Sequence, residues 1–152
     1  LSVAMGSDVN LVNAPILAKE RQLKITGKKD PQGENETPSL SIRVVDEKET
    51  MTLKATVGTV GGFITELNGN SIELHPEGNL LYIENTDTPG VVGHLGTFLG
   101  AHKINISSMQ LSRAQKGGAA RTFLGLDDEM SKELIDELKK KEFIVEARFI
   151  KI

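Results

Sequence analysis

Cysteine is absent from the 152 residues. With it go disulfides, thiolate metal sites and cysteine nucleophiles, and a reducing compartment, the cytoplasm, is expected. Tryptophan is absent too, and the aromatics are one Tyr and five Phe. A core must therefore be assembled from Ile, Leu and Val, within a hydrophobic fraction of 38%. No apolar run approaches the roughly 18 residues that a membrane span needs. Charge of one sign is lacking as well: the net charge is -3 and Lys and Arg are scattered, which leaves no footprint for nucleic acid or a membrane surface. The chain opens Leu1-Ser2-Val3 with neither an initiator Met nor a signal-peptide pattern, and it reads as a piece of something longer. Its length suits one ordinary domain or two small ones.

The first half carries one helix signal and several strand signals. Asn13 before Ala14-Pro15 offers a cap and a proline inside the first turn, and good helix formers follow to Arg21. Residues 27 to 38 contain no hydrophobic residue and form a loop. Leu40 to Val45 and Met51 to Val57 alternate as strands, joined by a hairpin turn over 46–49. Asn68-Gly69 between Phe63 to Leu67 and Ser71 to Leu74 is the strongest hairpin signal of the chain. Residues 1–78 thus form a helix with about four antiparallel strands. That is small for an independent core, and its opening stretch, Leu1 to Met5, starts without preamble; a domain truncated at its N-terminus is expected.

The second half, 79–152, has a fuller pattern. Asn79 to Glu84 is a strand, and Pro89 opens a helix with Val91, Val92, Leu95, Phe98 and Leu99 at helical spacing. Ile104 to Leu111 and Ala119 to Leu126 are strands around the loop at 114–118. Ser131 caps a second helix, and Phe143 to Ile150 closes as a strand. The order β-α-β-β-α-β gives two helices on one face of a four-stranded antiparallel sheet, an α+β, ferredoxin-like arrangement.

Most motifs in this half point to packing. Gly90, Gly93 and Gly96 repeat every three residues without the close first pair of a dinucleotide fingerprint. On a helix they are expected to let it lie close to the sheet, and no cofactor site is assigned. His75, His94 and His102 lie on separate elements with no acidic partner at ligand spacing, so no metal site is expected. His102 stands where it meets the helix's terminal carbonyls. The serines form no nucleophile elbow, and no catalytic constellation is found.

Two loops differ. Asn85-Thr86-Asp87-Thr88 precedes Pro89, and Asn105 follows the helix. Both are expected at neighbouring strand ends, converging on the free N–H groups of the helix N-terminus, which favour a carboxylate. Asp87 could accept from an ammonium group, so the hollow suits an amino-acid zwitterion. The alternative is that Asp87 or Thr88 only caps the helix and Asn105 only makes a turn.

Asn85-x-Asp87-x-Pro89-Gly90-Val91-Val92-Gly93, followed by Gly100-Ala101-His102-Lys103-Ile104-Asn105-Ile106, resembles the ACT domain, a ligand-binding regulatory module of amino-acid metabolism. Val12-Asn13-Ala14-Pro15-Ile16-Leu17-Ala18-Lys19-Glu20-Arg21, with Leu67-Asn68-Gly69 ahead of Pro76-Glu77-Gly78, is similar to the intervening domain of the long-form D-3-phosphoglycerate dehydrogenases. That family oxidises D-3-phosphoglycerate with NAD in the first step of serine synthesis. The resemblance implies an intervening domain over 1–78 and an ACT domain over 79–152, with the catalytic and NAD-binding domains elsewhere and no cofactor in this chain. It implies an L-serine effector site at Asn85, Asp87, Asn105 and Ile106 with backbone from the turn at Gly90, Val91 and Val92, shared between copies of a homo-oligomer, at least a dimer, paired through ACT edges. The family's anionic-effector site is not carried over, because its neighbourhood here holds Phe63, Ser71 and His75. Two other readings stand beside this one: the regulatory portion of an L-serine dehydratase, against which the N-terminal helix motif argues, and a ligand-free oligomerising module.

Overall fold

In a computed structural model of the chain, residues 10, 12–27, 37–47, 50–59, 61–113 and 115–152 are described. The expected opening stretch Leu1 to Met5 and most of the loop over 27–38 lie outside them, as does half of the turn at 46–49. Two units are distinguished, 1–36 and 37–152.

The first unit holds helix α1 (Ala14–Glu20), with Pro15 in its first turn. Asn13 is itself helical (φ -91°, ψ -16°) and its Oδ1 accepts from the Asn10 N–H. Asn10 closes the turn in return, its Oδ1 accepting from the N–H groups of Val12 and Asn13. The signal read at Asn13 is therefore shared with a residue one turn earlier.

In the second unit, strands β1 (Ser39–Val45), β2 (Thr50–Gly58), β3 (Gly61–Leu67) and β4 (Asn70–Leu74) form an antiparallel meander in sequence order. The β3–β4 turn is Asn68-Gly69, with φ of 49° and 79°. Positive φ at both positions matches the twist of the flanking strands, and Asn and Gly adopt it at least cost. Asn68 also ties the turn to β2, accepting from the Thr52 N–H and donating to the Thr52 carbonyl.

The second sheet is built from β5 (Asn79–Thr86), β6 (Ile106–Arg113), β7 (Ala119–Leu126) and β8 (Ile144–Lys151), in the order β6-β7-β5-β8. Helix α2 (Val91–Ala101) joins β5 to β6, and α3 (Lys132–Leu138) joins β7 to β8. The α+β class and the βαββαβ order are those read from the sequence. Val91, Leu95, Phe98 and Leu99 recur at the helical period and face the sheet with Leu138. They meet Leu81 and Ile83 from alternate positions of β5, Leu124 of β7, and Ile144 and Ala147 of β8. Each of the Val, Leu, Ile and Phe side chains among them contributes about 1.5–3 kcal/mol by leaving water. Ser131 accepts from the Leu134 N–H and so starts α3 as expected.

Gly93 and Gly96 do not serve the close helix–sheet approach expected of them. Both lie on the exposed side of α2, where an added Cβ would meet nothing within 4 Å. The opposite face of the sheet carries Leu80, Phe123, Tyr82 and Ile150, which pack against Ile64, Leu67, Ile72 and Leu74 of β3 and β4. Leu40, Ile42 and Val44 of β1 and Met51 of β2 continue that apolar stripe but remain exposed.

Candidate functional site

Strands β5 and β6 both pair antiparallel with β7, so they run parallel to each other. Helix α2 must return along the sheet to connect them. As a result the loop that leaves β5 and the loop that enters β6 lie at opposite ends. At one end Thr86 is opposite Ala119, and Arg113 is opposite Ala120. At the other, Ile106 is opposite Leu126, which is opposite Asn79. Seven or so strand residues separate Asp87 from Asn105, roughly 23 Å. The expected convergence of these loops within one module does not occur.

Asp87 stands in the loop after β5, turned toward the β6–β7 hairpin. Its N–H donates to the Gly118 carbonyl at 2.8 Å. Its Oδ2 accepts from Arg113 Nη1 at 2.7 Å and from the Gly117 N–H at 3.0 Å. The Gly117 amide above all, and then the Arg113 guanidinium, hold its carboxyl below the ordinary range. Asp87 neither caps α2 nor stands open: its side chain is 17% exposed, that of Arg113 50%.

Asn85, by contrast, is buried beneath the helix layer. Its Oδ1 accepts from Thr122 Oγ1 at 3.1 Å and its Nδ2 donates to the Thr86 carbonyl at 3.0 Å. Both ends of the amide are thus engaged inside the chain. Gly90, with φ of 96°, turns the chain into α2 and leaves no side chain to cap it. Val91 goes into the core and Val92 outward. At the far end Asn105 Nδ2 donates to Asp127 Oδ2 at 2.7 Å, and the Asp127 N–H returns to the Asn105 carbonyl at 3.1 Å. Ile106 is half-buried as the first residue of β6. His102, as expected, bonds a terminal carbonyl of α2, that of Phe98, at 2.9 Å from Nδ1.

On the other side of the β5–α2 loop lies an open hollow of about 400 Å³. Thr86, Thr88, Pro89, Val91, His94, Glu142 and Phe143 line it, and the His94 and Phe143 rings stack at 5.3 Å. A second hollow of about 370 Å³, beside Gly58 and Gly61, presents Phe63, Glu73 and His75. Among the described residues no Lys or Arg lines it.

Arg113, Gly117, Thr122 and Asp127 were not singled out by the sequence. Arg113 meets Asp87 across 26 positions. Only the register of β7 between β5 and β6, which brings the hairpin back over the end of β5, shows that they are neighbours.

Residues 79–143 match the ACT domain family, and residues 1–67 the D-3-phosphoglycerate dehydrogenase intervening domain. D-3-phosphoglycerate dehydrogenase of Bacillus subtilis is 36% identical over 151 residues, covering 99% of this chain and 29% of that protein. The dehydrogenase of Methanocaldococcus jannaschii is 31% identical over 140 residues, 92% of this chain and 26% of that protein. That of Synechocystis sp. is 31% identical over 153 residues, 100% of this chain and 28% of that protein. The chain thus spans between 26% and 29% of the length of these relatives.

Proposed function

This chain belongs to the D-3-phosphoglycerate dehydrogenase family, of which it carries the intervening and ACT domains, and we propose that it is a regulatory portion of such an enzyme, binding L-serine between two copies. The activity it governs is the NAD-dependent oxidation of D-3-phosphoglycerate that leads to serine, in the cytoplasm. The chain itself turns nothing over and binds no NAD.

One observation carries this reading: Asp87 and Asn105 sit at opposite ends of parallel strands, and β6 is a sheet edge. Two β6 edges set antiparallel about a twofold axis bring the end of β6 in one copy, where Arg113 reaches Asp87, beside the start of β6 in the other. Asp87 of one copy then faces Asn105 of its partner. The uncapped start of α2 adds N–H donors for a carboxylate. The exposed Gly93 and Gly96 leave room for another backbone to approach α2 closely, a use that the single chain does not make of them. A ligand bridging two copies favours one relative orientation. It can shift the enzyme only by that preference, typically about 1–3 kcal/mol of coupling.

Calorimetric titration of the chain with L-serine, D-3-phosphoglycerate and NAD tests the proposal. Serine binding is expected and is lost in Asp87→Ala and in Asn105→Ala; NAD binding would contradict it. The ligand-free oligomerising module is the second reading, favoured because Asp87 and Asn105 already have partners within the chain. It gains if no amino acid binds while the chain still self-associates.

A further inference from the structure

Arg113 lies at the end of the edge strand β6, and its guanidinium reaches Asp87 in the loop that leads into α2. Exposed ion pairs contribute little on average. Two features set this one apart. The Asp87 carboxylate is mostly covered, and a second donor fixes it, the N–H of Gly117. Gly117 makes that bond from a φ of 76°, a conformation costly for other residues. Moreover, both bonds fall on Oδ2, and Oδ1 accepts none among the described residues. Among the described residues only Nη1 of the guanidinium donors is used, and the side chain is half exposed.

The pair therefore presents, side by side, a free carboxylate oxygen and unused donors of a planar fork. An α-amino acid zwitterion carries the complementary sequence, an ammonium beside a carboxylate. We propose that Arg113 is a specificity-determining residue of the effector site, receiving the carboxylate of the amino acid, while Asp87 holds the guanidinium and turns its other oxygen to the ammonium. The inference rests on the effector reading above and deepens it. The α2 N–H groups assist with the same carboxylate, and the fork supplies the planar, two-point recognition that a single ammonium side chain lacks.

The test compares L-serine with L-serinamide, which keeps the ammonium and hydroxyl but has no carboxylate, on the intact chain and on Arg113→Gln and Arg113→Lys. The wild-type chain is expected to prefer serine. In Arg113→Gln serine affinity falls by about tenfold or more, as for loss of a charge-assisted bond, serinamide affinity is unchanged, and the preference disappears. Arg113→Lys restores part of it. A purely structural role for Arg113, which would displace Asp87, predicts equal losses for both ligands and overturns the inference, as does unchanged serine binding in Arg113→Gln. If the wild-type chain binds no serine, the effector reading fails and this inference with it. Matching thermal midpoints confirm that the variants fold.

Discussion

Asp87 shows what a single residue contributes and how far it could be read. Its identity in the motif was visible, but its partners were not, because Arg113 and Gly117 arrive through a hairpin register that no local pattern encodes. Its folded-state pKa lies below the ordinary value of 3.8. Stability from the ionised carboxylate is thus fully present above the unfolded pKa and is lost as pH falls through the lower folded one. The thermal-midpoint advantage of the wild-type chain over Asp87→Asn is therefore expected to shrink as pH drops below 3.8; a gap that stays constant from neutral pH into that range contradicts the assigned bonds. Asn85 is the opposite case: the motif suggested a ligand contact, whereas the strand turns it under the helices against Thr122. Asn85→Ala leaves the Thr122 hydroxyl buried without this partner and should cost about 1–3 kcal/mol in urea unfolding. Adding Thr122→Val should cost less than the two single changes summed.

At the scale of elements the sequence was legible where a local rule acts alone. Asn68-Gly69 needed only its own backbone preference, and the 3.6-residue stripe on α2 only the presence of a sheet to face. Reading failed where the surroundings decide. The α2 glycines looked like packing positions, since glycine in a helix usually needs a reason, yet Gly96 faces open space. If another copy uses that face, Gly96→Ala has two opposite effects. It should stabilise the isolated chain by about 0.5–1 kcal/mol and weaken self-association, as measured by thermal unfolding and by sedimentation. Stabilisation with unchanged association would assign α2's outer face to solvent. The exposed stripe on β1 and β2 has the same origin: alternation marked Leu40, Ile42 and Val44 as one apolar face, but β3 and β4 take up the contact with the second sheet.

For the whole molecule, the central consequence comes from topology. Parallel β5 and β6 forbid Asp87 and Asn105 of one chain from touching one ligand, so a site using both must take them from two chains. The residues and the order of elements are legible in the sequence; which strand ends the two loops occupy is not, because it follows from the pairing of β5 and β6 with β7. Equimolar mixing of Asp87→Ala and Asn105→Ala chains, followed by titration with L-serine, tests this most directly. Each variant alone should bind no serine, and the mixture should recover about a quarter of the wild-type sites, because half the dimers are mixed and each has one of its two sites intact. A mixture as inert as its components, beside a wild-type chain that binds serine, would contradict the shared site.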